Sequence, residues 1–178
     1  LEVDLATEID ARLMQGQLEL ALQSGPFKST TFANEALGHE NYCWVANRML
    51  AGQIDGKPTL ADLFELTILT HAKHTQACAA LHLICERNGL RRERIVHSSA
   101  LSACVPMVLE GLGVALLPER LLKPELASGD LHKIEMDWLP DPLSFHARYA
   151  PTRAALYVEK AAQLAKVAMQ TPLIKKND

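Results

Sequence analysis

An α/β fold built on parallel strands is the class the sequence predicts, and three observations carry it. From residue 66 onward, runs of strand type and runs of helix type alternate, the order that produces parallel strands joined by right-handed crossovers. In LEGLGVALLP, residues 109–118, Gly111 suits the left-handed cap of a helix and Pro118 cannot continue a central ladder, so a helix should end there and a short strand begin. Between them Val114-Ala115-Leu116-Leu117 is apolar without alternation, the pattern of a strand covered on both faces.

Taken in order, Leu1 to Leu5 alternates as a strand does, and Thr7 is placed to cap a helix whose Ile9 and Leu13 share a face before Gly16 stops it. Leu18 to Leu22 reads as the next strand and Gln23-Ser24-Gly25-Pro26 as a loop. Phe32 to Val45 should be extended, and Asn47 to Pro58 is a surface loop by its polar and glycine content. Thr59 to Leu63 is a single helical turn before a β-type run, Leu66 to Thr70. A helix over Thr75 to Asn88 ends at Gly89, a strand follows over Ile95 to Ser99, and a helix over Ala100 to Glu110 carries Pro106 in its interior. Past Pro118 come a short helix, Glu119 to Leu122, and strands at Leu131 to Met136 and Ser144 to Ala150, the second reached through Leu139-Pro140-Asp141-Pro142. The last helix, Arg153 to Met169, places Leu156, the Lys160 stem, Leu164 and Val167 on one face. No internal repeat is visible.

Composition narrows the function. Of 178 residues 48% are hydrophobic and 22% charged, ordinary for a folded soluble chain, and the net charge of −3 includes no basic run of the kind that binds nucleic acid non-specifically. No window has the length of a membrane span, and Leu1-Glu2-Val3-Asp4-Leu5 lacks the basic end and apolar core of an export signal, so a cytoplasmic location and no membrane partner are expected. Cysteines at 43, 78, 85 and 104 fit small core residues in a reducing compartment. There is no Gly-x-Ser-x-Gly elbow, phosphate-cradling glycine loop or His-Glu-x-x-His run. The acid pairs Glu8/Asp10 and Glu125/Asp130 read as solvated faces, so no catalytic residue and no cofactor is assigned.

Three segments, MQGQLELAL from Met14, PTLADL from Pro58 and LEGLGVALLPERLL from Leu109, resemble the effector-binding domain of LysR-type transcriptional regulators, a similarity that runs in order from Leu1 to about Met169. The resemblance implies a two-lobed fold like the type 2 periplasmic binding proteins, each lobe a mostly parallel sheet flanked by helices, with a small molecule held between the lobes. Residues 1–39 and 140–178 would form lobe one and residues 40–139 lobe two, with crossings near His39 and Pro140. Leu1 would fall inside the family's second strand, so the first strand, the first helix and the DNA-binding winged helix-turn-helix would precede it.

Ligands of open parallel sheets sit beyond the carboxyl ends of the strands. Three loops qualify: Gln23-Ser24-Gly25; Thr70 and His71 with His74 and Thr75; and Ser98-Ser99. By resemblance all three face the effector cleft. The helix start beside Lys73 and two histidines suits an anion, so a carboxylate or an amino acid is the expected effector. Simple capping by Thr75, Ser98 and Ser99 is the plainer alternative. His71, His74, Cys78, His82 and Cys85, three or four apart, have metal-ligand spacing, yet Ala77, Ala80, Leu81 and Ile84 share their helix and make the cysteines core residues more simply; no metal is assigned.

By resemblance the domain should pair antiparallel with a second copy, Leu1, Val3 and Leu5 facing Ala77, Leu81 and Ile84 of the 75–88 helix, although burial in their own core explains those three helix residues equally well. Full-length members usually form tetramers. The function that follows is a small-molecule effector-sensing regulatory domain that controls transcription through an attached DNA-binding domain, DNA being touched by no part of this chain. The alternatives are a solute-binding protein of a transporter, which needs an export signal, and a metabolic dehydratase, which needs an acid and a base in the cleft.

Overall fold

The computed structural model describes residues 4, 6–25, 27, 30–54, 56–73 and 75–170. In chain order its elements are α1 (Ala6–Met14), β1 (Leu20–Ser24), β2 (Ala33–Glu40), β3 (Tyr42–Asn47), α2 (Arg48–Ala51), α3 (Leu60–Leu63), β4 (Ile68–His71), α4 (Gln76–Asn88), β5 (Ile95–Ser98), α5 (Leu101–Leu109), β6 (Val114–Pro118), α6 (Lys123–Ser128), β7 (Leu131–Ile134), β8 (Leu143–Tyr149) and α7 (Leu156–Gln170), with 3-10 turns at Arg92–Arg94 and Glu119–Leu122. They divide into two compact units, Leu1–His39 with Ser144–Asp178, and Glu40–Leu143.

In the unit Glu40–Leu143 the strand period of two sorts side chains onto opposite faces of a five-stranded sheet, ordered β5-β4-β6-β3-β7. Trp44, Ala46, Ile68, Val114 and Leu116 meet Ala77, Leu81 and Cys85 of α4 on one face. Cys43, Val45, Leu69, Ala115 and Leu117 meet Cys104, Val105 and Val108 of α5 on the other. Coverage on both faces explains why residues 114–117 read as an unbroken apolar run: every residue of β6 is buried. The sheet is mixed, however, rather than mostly parallel. Strand β4 pairs parallel with β5 and β6, whereas β3 pairs antiparallel with β6 and with β7.

Local chemistry sets the boundaries. Thr59 caps α3 in a capping box with Asp62, each side chain bonded to the other's backbone N–H. Gly89 ends α4 at φ 64°, and Gly111 follows α5 at φ 75°. Pro106 does not break α5, because it lies on the exposed side while Cys104, Val105 and Val108 stay packed. The stretch expected as a loop from Asn47 starts as a helical turn: Asn47 Oδ1 accepts from the Leu50 N–H and its Nδ2 donates to the Leu109 carbonyl.

The other unit is a three-stranded sheet, β1-β8-β2, in which β1 and β8 run antiparallel. Leu37, Ala147 and Tyr149 pack on Val158 and Ala162 of α7. That helix presents the face opposite to the expected one: Leu156 and Leu164 are 67% and 70% exposed. Both faces carry apolar residues at helical spacing; Ala162 and Ala165 are small and let the backbone approach the sheet, a distinction periodicity does not make. Helix α1 begins at Ala6, so Thr7 lies inside it rather than capping it. Asp10, read as solvated, is buried. The expected strand over Leu1 to Leu5 lies outside the described residues, Asp4 apart. No helix of the described residues is long and apolar enough to cross a membrane.

Candidate functional site

The carboxyl ends of β4 and β5 are held level by their parallel register, Thr70 opposite His97 and His71 opposite Ser98. Their following helices leave in opposite directions: α4 packs on the Trp44 face of the sheet and α5 on the Cys43 face. Adjacent parallel strands whose connections diverge to opposite faces leave a crevice at their carboxyl edge, the place where α/β sheets take ligands.

The expected residues at this edge differ in their circumstances. Thr70 is fully buried, and its hydroxyl donates to the Leu116 carbonyl at 3.3 Å. His71 is half-buried, and burial holds its pKa below the ordinary imidazole value. Thr75 caps α4: its Oγ1 accepts from the Cys78 N–H at 3.3 Å and donates to the Ala72 carbonyl at 2.9 Å. Ser98 Oγ donates to the Ala100 carbonyl at 2.8 Å and accepts from the Ala100 N–H at 3.2 Å. Ser99 is exposed, and no side chain caps α5 at Ala100. His74 lies outside the described residues.

In the other unit, Gln23 and Ser24 close β1 rather than forming a loop, because the strand runs two residues past Leu22 in register with β8. Gln23 is buried; its Nε2 donates to Asp10 Oδ1 at 3.3 Å, while its Oε1 has no hydrogen-bond partner among the described residues. Asp10 is ion-paired with Arg148, whose guanidinium carbon stands 4.2 Å from the Phe27 ring centroid and 5.4 Å from that of Phe32. His146 stacks edge-on against Phe27, and burial together with the Arg148 charge lowers its pKa. Ser24 and Gly25 are half-buried beside this group. Sequence reasoning found Gln23 but missed Asp10, His146 and Arg148, because only the pairing of β1 with β8 brings them together. An open groove of this unit, about 530 Å³ and lined by Leu13, Phe32 and Arg153 among others, contains none of the expected ligand residues.

Of the residues expected at a dimer contact, Ala77 and Leu81 are buried in the core of their own unit and Ile84 packs partly against it. Leu83 is the large apolar side chain that α4 exposes, at 48%. Leu1, Val3 and Leu5 lie outside the described residues. The four cysteines are free and buried; burial pushes the Cys85 thiol up to about 11, as it does that of Cys43 with Glu119 adding to the effect. One further group forms across α4 and β5. Cys78 Sγ lies 3.6 Å from His82 Nε2 and 3.6 Å from His97 Nδ1.

Comparison with known proteins adds the following. A family model described as the LysR substrate binding domain matches residues 1–167. No curated protein matches the chain. Among solved structures, the regulatory domain of CcmR from Synechocystis, in complex with 2-PG, is similar at a TM-score of 0.76 and 15% identity, covering 96% of this chain and 83% of that one. The apo regulatory domain of HypT from Salmonella typhimurium gives 0.75 and 18%, covering 94% and 80%. The reduced regulatory domain of OxyR2 from Vibrio vulnificus gives 0.72 and 21%, covering 94% and 78%.

Proposed function

The chain belongs to the family of LysR substrate-binding domains, the effector-sensing regulatory part of LysR-type transcriptional regulators, and from that premise we propose that its effector is a small carboxylate or amino acid bound at the strand ends. The observation that carries the reading is the departure of α4 and α5 to opposite faces of the sheet from the level carboxyl ends of β4 and β5, the arrangement in which α/β sheets take ligands. Two helix N-termini start at that edge and favour negative charge, His71 offers a polar group beside them, and Ser99 is exposed there. His74 completes the set by sequence position. By itself, the other unit offers the Oε1 of Gln23, which has no partner among the described residues, with Ser24 and Gly25 next in the chain, as an acceptor suited to an amino group. The chain in this reading binds and does not catalyse. It works in the cytoplasm, and it reaches DNA only through an attached helix-turn-helix domain, whose placement ligand binding alters.

A thermal-shift panel of carboxylates, amino acids and uncharged amines checks the effector class. At about 100 times the dissociation constant, a ligand is expected to add roughly 2.7 kcal/mol and several degrees to the midpoint. The combined Ser99→Ala and His71→Gln variant should lose most of the shift. A panel in which no carboxylate or amino acid raises the midpoint would overturn the assignment, as would a shift unchanged by that variant.

We further propose that two copies pair through the outer face of α4, supported by the exposure of Leu83 beside the half-buried Ile84. Leu83→Glu is therefore expected to shift the chain from dimer to monomer in sedimentation without lowering its melting midpoint. A folded variant that stays dimeric would place the interface elsewhere.

A further inference from the structure

The group formed by Cys78, His82 and His97 adjoins the effector crevice through the His71 carbonyl but supplies none of the effector contacts proposed above, and its sulfur–nitrogen spacing is that of a metal-ligand set. Cys78 and His82 are one helical turn apart on α4, so both point along one face, while His97 comes up from β5 on the side of the sheet that α4 covers, as Ile95 two residues earlier does. Cys78 is wholly buried, and both histidines are partly open. Their candidate ligand atoms all lie within 4.8 Å of one another.

Distances discriminate further. With zinc–sulfur near 2.3 Å and zinc–nitrogen near 2.05 Å, a tetrahedral centre places sulfur and nitrogen ligands about 3.6 Å apart. Both sulfur–nitrogen separations here are 3.6 Å. A thiol carries a single proton and its sulfur accepts only weakly, so hydrogen bonding accounts for both contacts only if one ring N–H donates to the sulfur. His97 Nδ1 also lies 3.0 Å from the His71 carbonyl, so in the metal-free protein the proton on that nitrogen donates to His71 and the Cys78 thiol donates to His82. The His97–Cys78 approach then brings a bond to neither group.

We propose that Cys78, His82 and His97 bind a zinc-class divalent cation, with water in the fourth position. On binding, the Cys78 thiol gives its proton to solvent and becomes the thiolate ligand, and His97 shifts its proton from Nδ1 to Nε2 so that Nδ1 coordinates. The ring of His82 already favours the neutral form that ligates, held there by burial first and by its neighbours His97 and Arg92. The other helix residues with metal-ligand spacing are not part of the set: Cys85 is packed in the core among Leu81 and Ile95.

Cobalt(II) titration of the reduced, metal-free chain tests the site, because a tetrahedral thiolate centre gives both a sulfur-to-metal charge-transfer band and intense visible bands. Stoichiometric uptake with both signals is expected, displaced by zinc. Cys78→Ser should abolish the charge-transfer band, and His82→Gln, at a partly exposed position that leaves the core intact, should weaken cobalt affinity at least tenfold with unchanged circular dichroism. Absence of a thiolate band in the parent chain overturns the site, and so does a band that persists in Cys78→Ser or an affinity that His82→Gln leaves unchanged. None of these readouts depends on the effector, so the site stands or falls separately from the function proposed above.

Discussion

Arg148→Ala is expected to lower stability by about 3–5 kcal/mol, the range for removing one partner of a buried ion pair. For a chain of this length that corresponds to a melting midpoint lower by about 10 °C. Arg148 is 1% exposed on the central strand of its sheet and ion-paired with Asp10, itself buried midway along α1. Removing the cation leaves the Asp10 carboxylate out of water without its ion-pair partner, and it empties the space beside Phe27 and Phe32. The paired replacement Asp10→Leu with Arg148→Met should recover most of the loss, since apolar residues of similar volume remove both charges together. Thermal unfolding followed by circular dichroism reads both variants. An Arg148→Ala midpoint within about 2 °C of the parent would show that the pair contributes little beyond its own desolvation.

Gly113→Ala is the second large effect, and it should act through the backbone. A Cβ at residue 113 would stand 2.1 Å from the Thr67 carbonyl oxygen and 2.9 Å from its carbon, far inside van der Waals contact. The same carbonyl accepts from the Val114 N–H at 2.9 Å, the bond that seats β6 beside β4, so relief of the clash means separating those strands at their start. Overpacking of this kind costs typically 1–3 kcal/mol against flexible side chains, and against backbone the loss should reach about 4 kcal/mol. A urea titration measures it. Gly111→Ala serves as the comparison: it meets strain from its φ of 75° and the Asn47 amide at 2.9 Å, and should cost about 1 kcal/mol. If the two variants had equal midpoints, close strand approach at Gly113 would not be the controlling contact.

Element type was legible at several places where local chemistry decides it, though not at Asn47, whose side chain caps a helical turn in a stretch expected as a loop. The helical turn that starts at Thr59, the helix from Thr75 to its glycine stop and the buried run before Pro118 all follow from neighbours a few residues apart. Strand direction was not, because alternation of strand and helix describes β4 to β6 and says nothing of β3, which inserts antiparallel between β6 and β7. The choice of face on α7 was equally hidden: two apolar stripes compete, and the smaller side chains win because they fit against β8. The candidate sites divide the same way. Strand-end residues such as His71 and Ser98 can be placed by counting along a strand, whereas Asp10 and Arg148 are 138 positions apart and His97 joins Cys78 only through the packing of α4 on β5.

The four buried thiols have a use as clocks. Cys85 packs on the α4 side of the larger sheet and Cys78 lies buried on that helix, while Cys43 and Cys104 pack beneath α5, and all four are buried in the folded protein. A thiol-specific reagent can therefore reach each pair only during an opening event on its own side. With labelling kept slow relative to reclosing, the rate at each cysteine divided by its intrinsic reactivity reports the fraction of time that layer stands open. The sheet thus carries a separate stopwatch on each face, and if one helix peels away before the other, the two will run at different speeds.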